Sequence, residues 1–324
     1  MNTIGFVISH KNNEKRRAIL PCDLAGLKNP QQLYLEEGYG CSVGYPDDAY
    51  RPYGVHIVPR EEVLKCDVIV DVKLGDADYL AQLDGPKILC GWAHCTQSVD
   101  FTSTVLNAGH TVIAWEEIYE NGRYIFYRNR EVAGEAAILH GFRYSGKMPY
   151  DAKVAIIGNG QTGKGAFRIL AGLGADVDIY ARKNETQFRA NMANYDVLVN
   201  CVMWDTHRTD RLIYREDLKR LRPGTLIIDV SCDPYLEIET SHPTTIDNPV
   251  YTVDGIVHYA VDNTPAMYPV TVTGNLSCAF APYICMLVSG EYSESLKKAV
   301  VIEQGHIIDR NIFDFRSARG IFCK

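Results

Sequence analysis

One segment limits the fold of this chain more than any other: KVAIIGNGQTGKGAFRILAGLGADVDIYARK, residues 153–183. An apolar run leads into a turn in which Gly158, Gly160 and Gly163 fit the pattern G-x-G-x-x-G, and a helical segment and a second apolar run follow. The first glycine permits a tight turn, the second lets the backbone approach a pyrophosphate, and the third allows a helix to pack closely on a strand. The segment therefore predicts a dinucleotide-binding β-α-β unit.

The start of this helix supplies the expected phosphate contacts. Unpaired N–H groups and the positive end of the helix dipole lie at a helix N-terminus, here around Gln161 and Thr162. The alternative is a glycine turn with a purely structural role. The complete strand, helix and second strand favour binding of a dinucleotide.

The end of the second strand indicates which dinucleotide is bound. In NAD-binding units an acidic residue at this strand end accepts hydrogen bonds from the ribose hydroxyls. Here Asp178 lies in mid-strand, and Arg182 and Lys183 occupy the strand end. A guanidinium can bind a 2′-phosphate in a bidentate manner. We therefore expect NADP(H) in preference to NAD(H), and the alternative is that both cations are ordinary solvated surface residues.

Composition limits the class of protein. A chain of 324 residues suffices for two domains, and a net charge of −7 argues against nucleic acid as a partner. We expect no membrane span, because no apolar run approaches the roughly 20 residues that one needs, and the N-terminus does not have the order of a secretory signal. We expect a cytoplasmic protein without a membrane partner. Its ten cysteines are expected to be free thiols, and no spacing indicates a metal site.

Two series of apolar runs alternate with helical segments. The first contains TIGFVI, DVIVDV, KILCGW and HTVIAW, and the second contains KVAIIG, DVDIY, DVLVNCV, TLIIDVS, VYTVDG and VHYAVD. Such alternation predicts parallel sheets covered on both faces. We predict an α/β protein of two Rossmann-like, doubly wound domains with an interdomain cleft. Residues 130–265 form the dinucleotide-binding domain, and residues 1–129 with 266–324 form a discontinuous substrate domain.

Several motifs together resemble the alanine dehydrogenase and transhydrogenase N-terminal domain family. They are EKRRAILP, DVIVDVKLGD, CGWAH, REVAG and the long segment from IIDVSCDPYLEIETSHPTT to VDNTPAMYP. Within that family the chain is most similar to the N5-(carboxyethyl)ornithine synthases, whose second strand also ends in Tyr-x-Arg-Lys. This resemblance implies an opine-forming enzyme that condenses pyruvate, or another 2-oxo acid, with an amino acid amine such as that of ornithine or lysine. It also implies NADPH as reductant and a homo-oligomer.

The resemblance assigns roles to three residues of the substrate domain. Arg16, in EKRRAILP, matches the family's arginine that binds the substrate carboxylate. Lys73, after DVIVDV, is expected to polarise the keto oxygen or to hold the carboxylate, although the family's Lys-Glu-Pro is Lys-Leu-Gly here. His94, in CGWAH, is the expected general acid and base. Arg17 stands where the family often has valine; it has no assigned role and could reach a second substrate.

Further roles fall on the second half of the chain. Asp233 matches an aspartate near the nicotinamide, but Pro-Tyr-Leu follows it where the alanine dehydrogenases have two glycines. Asn263 matches the asparagine of the family's N-x-P turn beside the nicotinamide; the alternative is an asparagine that only fixes the turn. Arg128 and Arg130 replace the family's P-M-S-E segment, and we expect one of them to bind the carboxylate of the amino acid.

Three other functions remain open at this point. An alanine dehydrogenase would use ammonia and NAD, and a saccharopine-type reductase would use 2-oxoglutarate. A non-catalytic NADP-binding sensor would need the glycine turn but not Arg16, Lys73 and His94 together. The joint presence of these three residues favours an enzyme.

Overall fold

The computed structural model describes residues 1–205, 208, 210–232 and 236–321, and the chain falls into two compact units. Unit 1 comprises Met1–Phe126 and Pro269–Lys324, and unit 2 comprises Tyr127–Tyr268. The sequence places both boundaries three residues away from these positions. The first difference arises because a helix begins at Tyr127 and belongs as a whole to unit 2.

Unit 1 is built on an eight-stranded sheet, and strands and helices are numbered along the whole chain. Its strands are β1 (Ile4–Phe6), β2 (Leu33–Glu36), β3 (His56–Val58), β4 (Val68–Asp71), β5 (Ile88–Gly91), β6 (Thr111–Ala114), β15 (Val300–Glu303) and β16 (His306–Ile307), with a separate hairpin of β7 (Tyr119–Glu120) and β8 (Arg123–Tyr124). Its helices are α1 (Pro21–Leu24), α2 (Arg60–Val63), α3 (Val99–Ala108), α7 (Pro269–Ser289), α8 (Glu294–Lys298) and α9 (Arg310–Ala318).

The strand order in this sheet is β3-β2-β1-β4-β5-β6-β15-β16. The strands from β3 to β6 are parallel, and β15 from the C-terminal segment adds antiparallel to β6. The chain leaves β1 towards one edge and returns beside it with β4. In open α/β sheets such a reversal marks the place where ligands bind, outside the carboxyl ends of the strands.

Helix α7 differs from the sequence expectation about membrane spans. By length and composition alone this helix is apolar enough to cross a membrane. The expectation that no segment of the chain is long and apolar enough for this was therefore wrong. In unit 1 nine of its 21 residues are buried, among them Phe280. Its hydroxyl groups serve the β1–β2 connection: Thr273 accepts the backbone N–H of Arg17 at 3.0 Å, and Ser277 accepts that of Leu20 at 2.7 Å.

Unit 2 is built on a six-stranded sheet. Its strands are β9 (Lys153–Ile157), β10 (Asp176–Tyr180), β11 (Val197–Asn200), β12 (Leu226–Asp229), β13 (Val250–Val253) and β14 (Ile256–Tyr259), and its helices are α4 (Tyr127–Gly141), α5 (Gln161–Gly172) and α6 (Glu185–Asn191). The order is β10-β9-β11-β12-β14-β13, parallel except for β13. These are the six apolar runs of the second series. Between β11 and β12, where the sequence predicts a helical segment, the described residues form a six-residue 3₁₀ turn, Arg215–Arg220.

Both faces of this sheet are covered, as the continuous apolar runs predict. Val197 and Val199 of β11 belong to one core cluster with Ala166 of α5, and Leu198 belongs to a second cluster with Phe188 of α6. Successive side chains of a strand point to opposite faces, so a strand with two buried faces is apolar throughout. The nine cysteines in the described ranges form no disulfide.

Candidate active site

Three neighbouring strands of unit 1 lead into the three residues predicted for chemistry. Arg16 lies in the connection after β1, Lys73 lies two residues after β4, and His94 lies three residues after β5. Strands β1, β4 and β5 are adjacent and parallel, so their carboxyl ends meet at the same edge of the sheet. The β1–β4 pair is also the point where the strand order reverses. The fold therefore brings these three connections to one place.

Arg16 is held by a carboxylate that the sequence reading left without a role. Its side chain is 1% exposed, and Glu14, at 0%, pairs with it at 2.5 Å through Nη2. Glu14 also accepts Nε–H and the backbone N–H of Arg16, each at 2.8 Å. The guanidinium carbon lies 4.9 Å from the centre of the Trp92 ring. Glu14 thus takes the Nε–Nη2 edge of the guanidinium fork in a bidentate pair.

Lys73 is nearly buried and belongs to a cluster of charges. Its Nζ lies 3.6 Å from Asp76, which also binds Lys11 at 3.2 Å. Its backbone N–H donates to Asp71 at 2.9 Å, and Tyr79 donates its hydroxyl to the same carboxyl at 3.2 Å. Burial raises the pKa of Asp71 to about 6. Lys11 and Lys73 therefore share the carboxylate of Asp76, next to the buried Asp71.

His94 is placed by the connection that precedes it. Its backbone has a left-handed φ of 47°, its N–H donates to Glu116 at 2.6 Å, and its side chain is exposed. Gly75 explains the departure from the family's Lys-Glu-Pro: its N–H donates to Trp92 at 2.9 Å, and a Cβ there would lie 2.5 Å from the Ala93 oxygen. A proline could neither donate this bond nor fit this contact. The glycine thus lets the Lys73 connection pack directly against the one that carries His94.

The glycine turn of unit 2 has the geometry that a dinucleotide needs. Gly158 has a φ of 107°, and a Cβ on Gly163 would lie 2.0 Å from the Gly158 oxygen, so the turn and the helix start require both glycines. A Cβ on Gly160, in contrast, would meet nothing within 4 Å, which leaves its backbone open to an approaching group. Helix α5 begins immediately after it with Gln161 and Thr162, so N–H groups of its first turn are available to phosphates. These residues fit a dinucleotide.

The close packing of α5 on α4 fixes the direction of this helix start. A Cβ on Gly134 would lie 2.0 Å from the Thr162 oxygen, and a Cβ on Gly165 would lie 2.0 Å from the Glu131 oxygen. Both contacts are with backbone atoms, which cannot move aside as a flexible side chain can. The two helices therefore approach each other through glycines, and the segment REVAG has a structural reason for its glycine.

The end of β10 carries no carboxylate that faces a ribose. Asp178 accepts the hydroxyl of Tyr195 at 2.7 Å, so its carboxylate is engaged in mid-strand. The strand is followed by Arg182 and Lys183, both exposed. The side chain of Arg182 is 76% exposed and lies 3.7 Å from Asp205, which follows β11. Asp205 is a partner that the sequence reading missed.

Asp233 lies outside the described residues, and the segments before and after it in the chain contribute to a buried polar cluster. Asp229, at the end of β12, accepts hydrogen bonds from Ser241 and from Asn200, the latter at 2.9 Å. Asn200 also donates to Glu237 at 3.0 Å. Burial raises the pKa of Asp229. These contacts tie Asp229 to the end of β11 through Asn200 and to the segment that contains Ser241.

Asn263 is in a left-handed conformation, with φ 70° and ψ 38°, just before the 3₁₀ turn Thr264–Met267. Its carbonyl accepts the N–H of Ala266 at 3.0 Å, and Thr264 donates its hydroxyl to Ala133 at 3.0 Å. An asparagine tolerates this backbone conformation better than most residues do. The turn-fixing role of Asn263 is therefore visible in the structure, and its contact with a nicotinamide remains a prediction.

The two arginines at the start of α4 are in different situations. Arg128 pairs with Glu131 one turn later, and Glu131 also pairs with Arg168 of α5 at 3.3 Å. Arg130 is half-buried. Since Arg128 already has a carboxylate, a substrate carboxylate would compete with Glu131 for it. In the described ranges, no group of three or more His, Cys, Asp or Glu side chains is placed to hold a metal ion.

Comparison with family models gives two matches that together span most of the chain. Residues 8–126 match the N-terminal domain of the alanine dehydrogenase/PNT family, and residues 180–311 match its C-terminal domain. Residues 119–237 also match the NAD-binding domain of the D-isomer specific 2-hydroxyacid dehydrogenases. The last match includes the glycine turn and the end of β10.

Individual relatives are similar over almost their whole length. An N(5)-(carboxyethyl)ornithine synthase of Lactococcus lactis is 32% identical over 311 residues, which cover 91% of this chain and 98% of the relative. A second one, from Clostridium botulinum, is 29% identical and covers 87% and 93%. Alanine dehydrogenase 1 of Staphylococcus aureus is 25% identical and covers 95% of both chains.

Solved structures agree in fold. An L-alanine dehydrogenase superposes with a TM-score of 0.81 at 23% identity and covers 98% of this chain, and a transhydrogenase from Sinorhizobium meliloti superposes with a TM-score of 0.77 at 17% identity and covers 95%. Both support a two-domain, Rossmann-like architecture. The domain matches and the synthase relatives show that this chain belongs to the alanine dehydrogenase/PNT family of pyridine-nucleotide-dependent oxidoreductases.

Proposed function

We propose that the protein is an NADPH-dependent reductase that joins a 2-oxo acid, pyruvate, to the side-chain amine of an amino acid such as ornithine or lysine. The observation that carries this proposal is the 32% identity with an N(5)-(carboxyethyl)ornithine synthase, in a match that covers 98% of that relative and 91% of this chain. We further propose that it acts in the cytoplasm as a homo-oligomer, as the sequence suggests.

The choice of NADPH is supported by the end of β10. Asp178 is engaged with Tyr195, and the exposed cations Arg182 and Lys183 follow the strand. A carboxylate at this position would repel a 2′-phosphate, whereas a guanidinium attracts it and matches its geometry. Bound NADPH would supply the hydride that reduces the substrate.

The condensation needs one cationic anchor, one polarising group and one proton carrier. Arg16, held by Glu14, is suited to bind the carboxylate of the 2-oxo acid. Lys73 would polarise the keto oxygen, so that the unprotonated amine adds to the keto carbon and forms a carbinolamine. His94, with an exposed ring at the end of the neighbouring strand, would donate the proton with which the hydroxyl leaves as water.

The overall step balances as follows. One C–N bond forms, one C–O bond breaks with loss of water, and the resulting imine carbon gains the hydride. The 2-oxo acid, the amine, NADPH and one proton give the secondary amine, NADP⁺ and water. The amine must lose its proton before it attacks, and His94 can accept that proton and return it to the leaving hydroxyl.

The direct test is turnover of the purified protein with pyruvate against a panel of amines. NADPH oxidation would be followed by absorbance with ornithine, lysine or ammonia, and products would be identified by mass spectrometry. We expect turnover with ornithine or lysine and a product heavier than the amino acid by the carboxyethyl group. Turnover with ammonia alone, and with NADH in preference to NADPH, would instead show an alanine dehydrogenase.

Two controls separate the remaining alternatives. Replacing pyruvate by 2-oxoglutarate tests for a saccharopine-type reductase, which would turn over only the longer oxo acid. A non-catalytic sensor would bind NADPH and oxidise it with none of these amines. In that case Lys73→Met and His94→Gln would leave NADPH binding unchanged and would alter no rate.

A further inference from the structure

Arg17 is a buried cation in an unusual environment. It is 4% exposed, and its Nε donates to the backbone oxygen of Tyr39. Its Nη1 donates to the backbone oxygen of Arg16 at 2.8 Å, and its guanidinium carbon lies 5.5 Å from the centre of the Tyr39 ring. The acceptors around this guanidinium are neutral carbonyls, so the positive charge remains without a counter-charge in the described part of the chain.

The neighbouring arginine shows what is missing. Arg16 is equally buried and has the carboxylate of Glu14 against its fork, whereas no described Asp or Glu lies within ion-pair distance of Arg17. Removing a guanidinium from water is costly unless an anion or a full set of hydrogen bonds replaces the water. Nη2 of Arg17 has no acceptor among the described residues, so its fork has donors to offer to a bound anion.

The two guanidiniums pack on different aromatic rings. Arg16 packs on Trp92, which follows β5, and Arg17 packs on Tyr39, which follows β2. In the order β2-β1-β4-β5, the strands that precede these two residues lie on different sides of β1. The chain therefore places a second cationic site beside the one expected for the 2-oxo acid, on the side away from Lys73 and His94.

We propose that Arg17 binds the α-carboxylate of the amino acid whose side-chain amine reacts. This inference rests on the proposed function. The condensation product carries two carboxylates, one from each substrate, separated by roughly 9 Å along an extended chain of seven bonds. One carboxylate on Arg16 and the other on Arg17 place the new C–N bond between the two cations, and a substrate such as ammonia gains nothing from Arg17.

The experiment compares two amines that differ only in the carboxylate. Wild-type protein, Arg17→Met and Arg17→Lys would be assayed with pyruvate and NADPH, using either ornithine or 1,4-diaminobutane. For wild type, kcat/KM should favour ornithine by roughly 10- to 100-fold, the range expected for charge-assisted hydrogen bonds to one carboxylate. Arg17→Met should remove this preference by lowering only the ornithine value, and Arg17→Lys should retain part of it because it keeps the charge.

The wild-type comparison is informative even if the Arg17 variants fail to fold, which thermal melting and NADPH binding would reveal. Equal kcat/KM for ornithine and 1,4-diaminobutane in wild type would mean that no carboxylate site exists. An equal loss for both amines in Arg17→Met would mean a structural role. A raised KM for pyruvate alone would place the 2-oxo acid on Arg17. Each of these results overturns the inference.

A matched pair of variants tests the competing assignment from the sequence. If Arg128 and Arg130 hold the carboxylate, Arg128→Ala/Arg130→Ala should abolish the preference for ornithine and Arg17→Met should not. The proposed function fails separately: wild-type protein would then turn over neither ornithine nor lysine with pyruvate, before any variant is made. Failure of the Arg17 inference alone leaves wild-type turnover intact.

Discussion

Arg182 and Asp205 should have opposite effects on the affinity for NADPH. They form an exposed pair after β10 and β11, with 3.7 Å between Nη2 of Arg182 and the carboxylate. Arg182→Met removes the group expected to bind the 2′-phosphate. Asp205→Asn removes a negative charge that repels this phosphate and competes for Arg182. The first variant should weaken NADPH binding, and the second should strengthen it.

The size of each effect follows from exposure. Hydrogen bonds to charged groups contribute about 1.5–3 kcal/mol. The Arg182 side chain is 76% exposed, so we take about 1–2 kcal/mol, which is roughly a 5- to 30-fold rise in Kd for NADPH. An exposed ion pair contributes about 0.2–1 kcal/mol, so Asp205→Asn should lower Kd by roughly 1.5- to 5-fold. Neither variant should change the Kd for NADH by more than about 2-fold.

Binding would be measured by titration calorimetry with NADPH and NADH at two salt concentrations. The matched control is Arg215→Met, because Arg215 pairs with Asp254 at 3.0 Å on the surface of the same unit and both side chains are exposed. The control should bind both nucleotides like wild type. The effect of Arg182→Met should shrink at high salt, because exposed charges are screened.

Two results would refute this reasoning. If Arg182→Met binds NADPH as tightly as wild type, the cation is an ordinary surface residue. If it weakens NADPH and NADH equally, the residue supports the nucleotide site without reading the 2′-phosphate. The complementary exchange, Ala181→Asp with Arg182→Met, should move the preference towards NADH, because a carboxylate then stands at the ribose.

Three further predictions concern other parts of the protein. Gly160→Ala should keep the melting temperature of wild type, because the new Cβ meets no protein atom, but it should lose most dinucleotide affinity, because the Cβ occupies the approach to the pyrophosphate. Gly163→Ala should lower the melting temperature, because its Cβ would lie 2.0 Å from the Gly158 oxygen. His94→Gln should lower kcat by roughly 10²- to 10⁴-fold and flatten the pH–rate profile while NADPH binding is retained. The pKa of the Asp71 carboxyl is about 6 in the folded protein, above its usual 3.8, so its contribution to stability is lost as pH rises through this window. The free energy of unfolding of Asp71→Asn relative to wild type, measured in urea, should therefore rise by about 2 kcal/mol from pH 4 to pH 8. A difference that is the same at both pH values would contradict the raised pKa.

The sequence predicts the centre of each sheet well and the edges poorly. Runs such as KVAIIG and DVIVDV are apolar on both faces, and that pattern is local, so β9 and β4 are recognisable without any structure. Strands β2 and β3 were not predicted from the sequence. Strand β2 alternates buried and half-buried residues over LYLE, and β3 is a three-residue edge strand with an exposed His56. A short edge strand is stabilised mainly by pairing with the neighbouring strand, and the local sequence does not show which strand that is.

The sequence by itself determined the glycine turn, the cations after β10 and the family, because each depends on residues that are close together in the chain. Only the tertiary structure decided which charges meet. Asp76 stands between Lys11 and Lys73, Asp205 after β11 reaches Arg182, and α7 contacts the β1–β2 connection. The tertiary structure also gives two adjacent arginines different partners. Arg16 pairs with the carboxylate of Glu14, whereas Arg17 contacts only carbonyls and an aromatic ring. Such pairings depend on strand order and on packing between distant segments, and these arise when the whole chain folds.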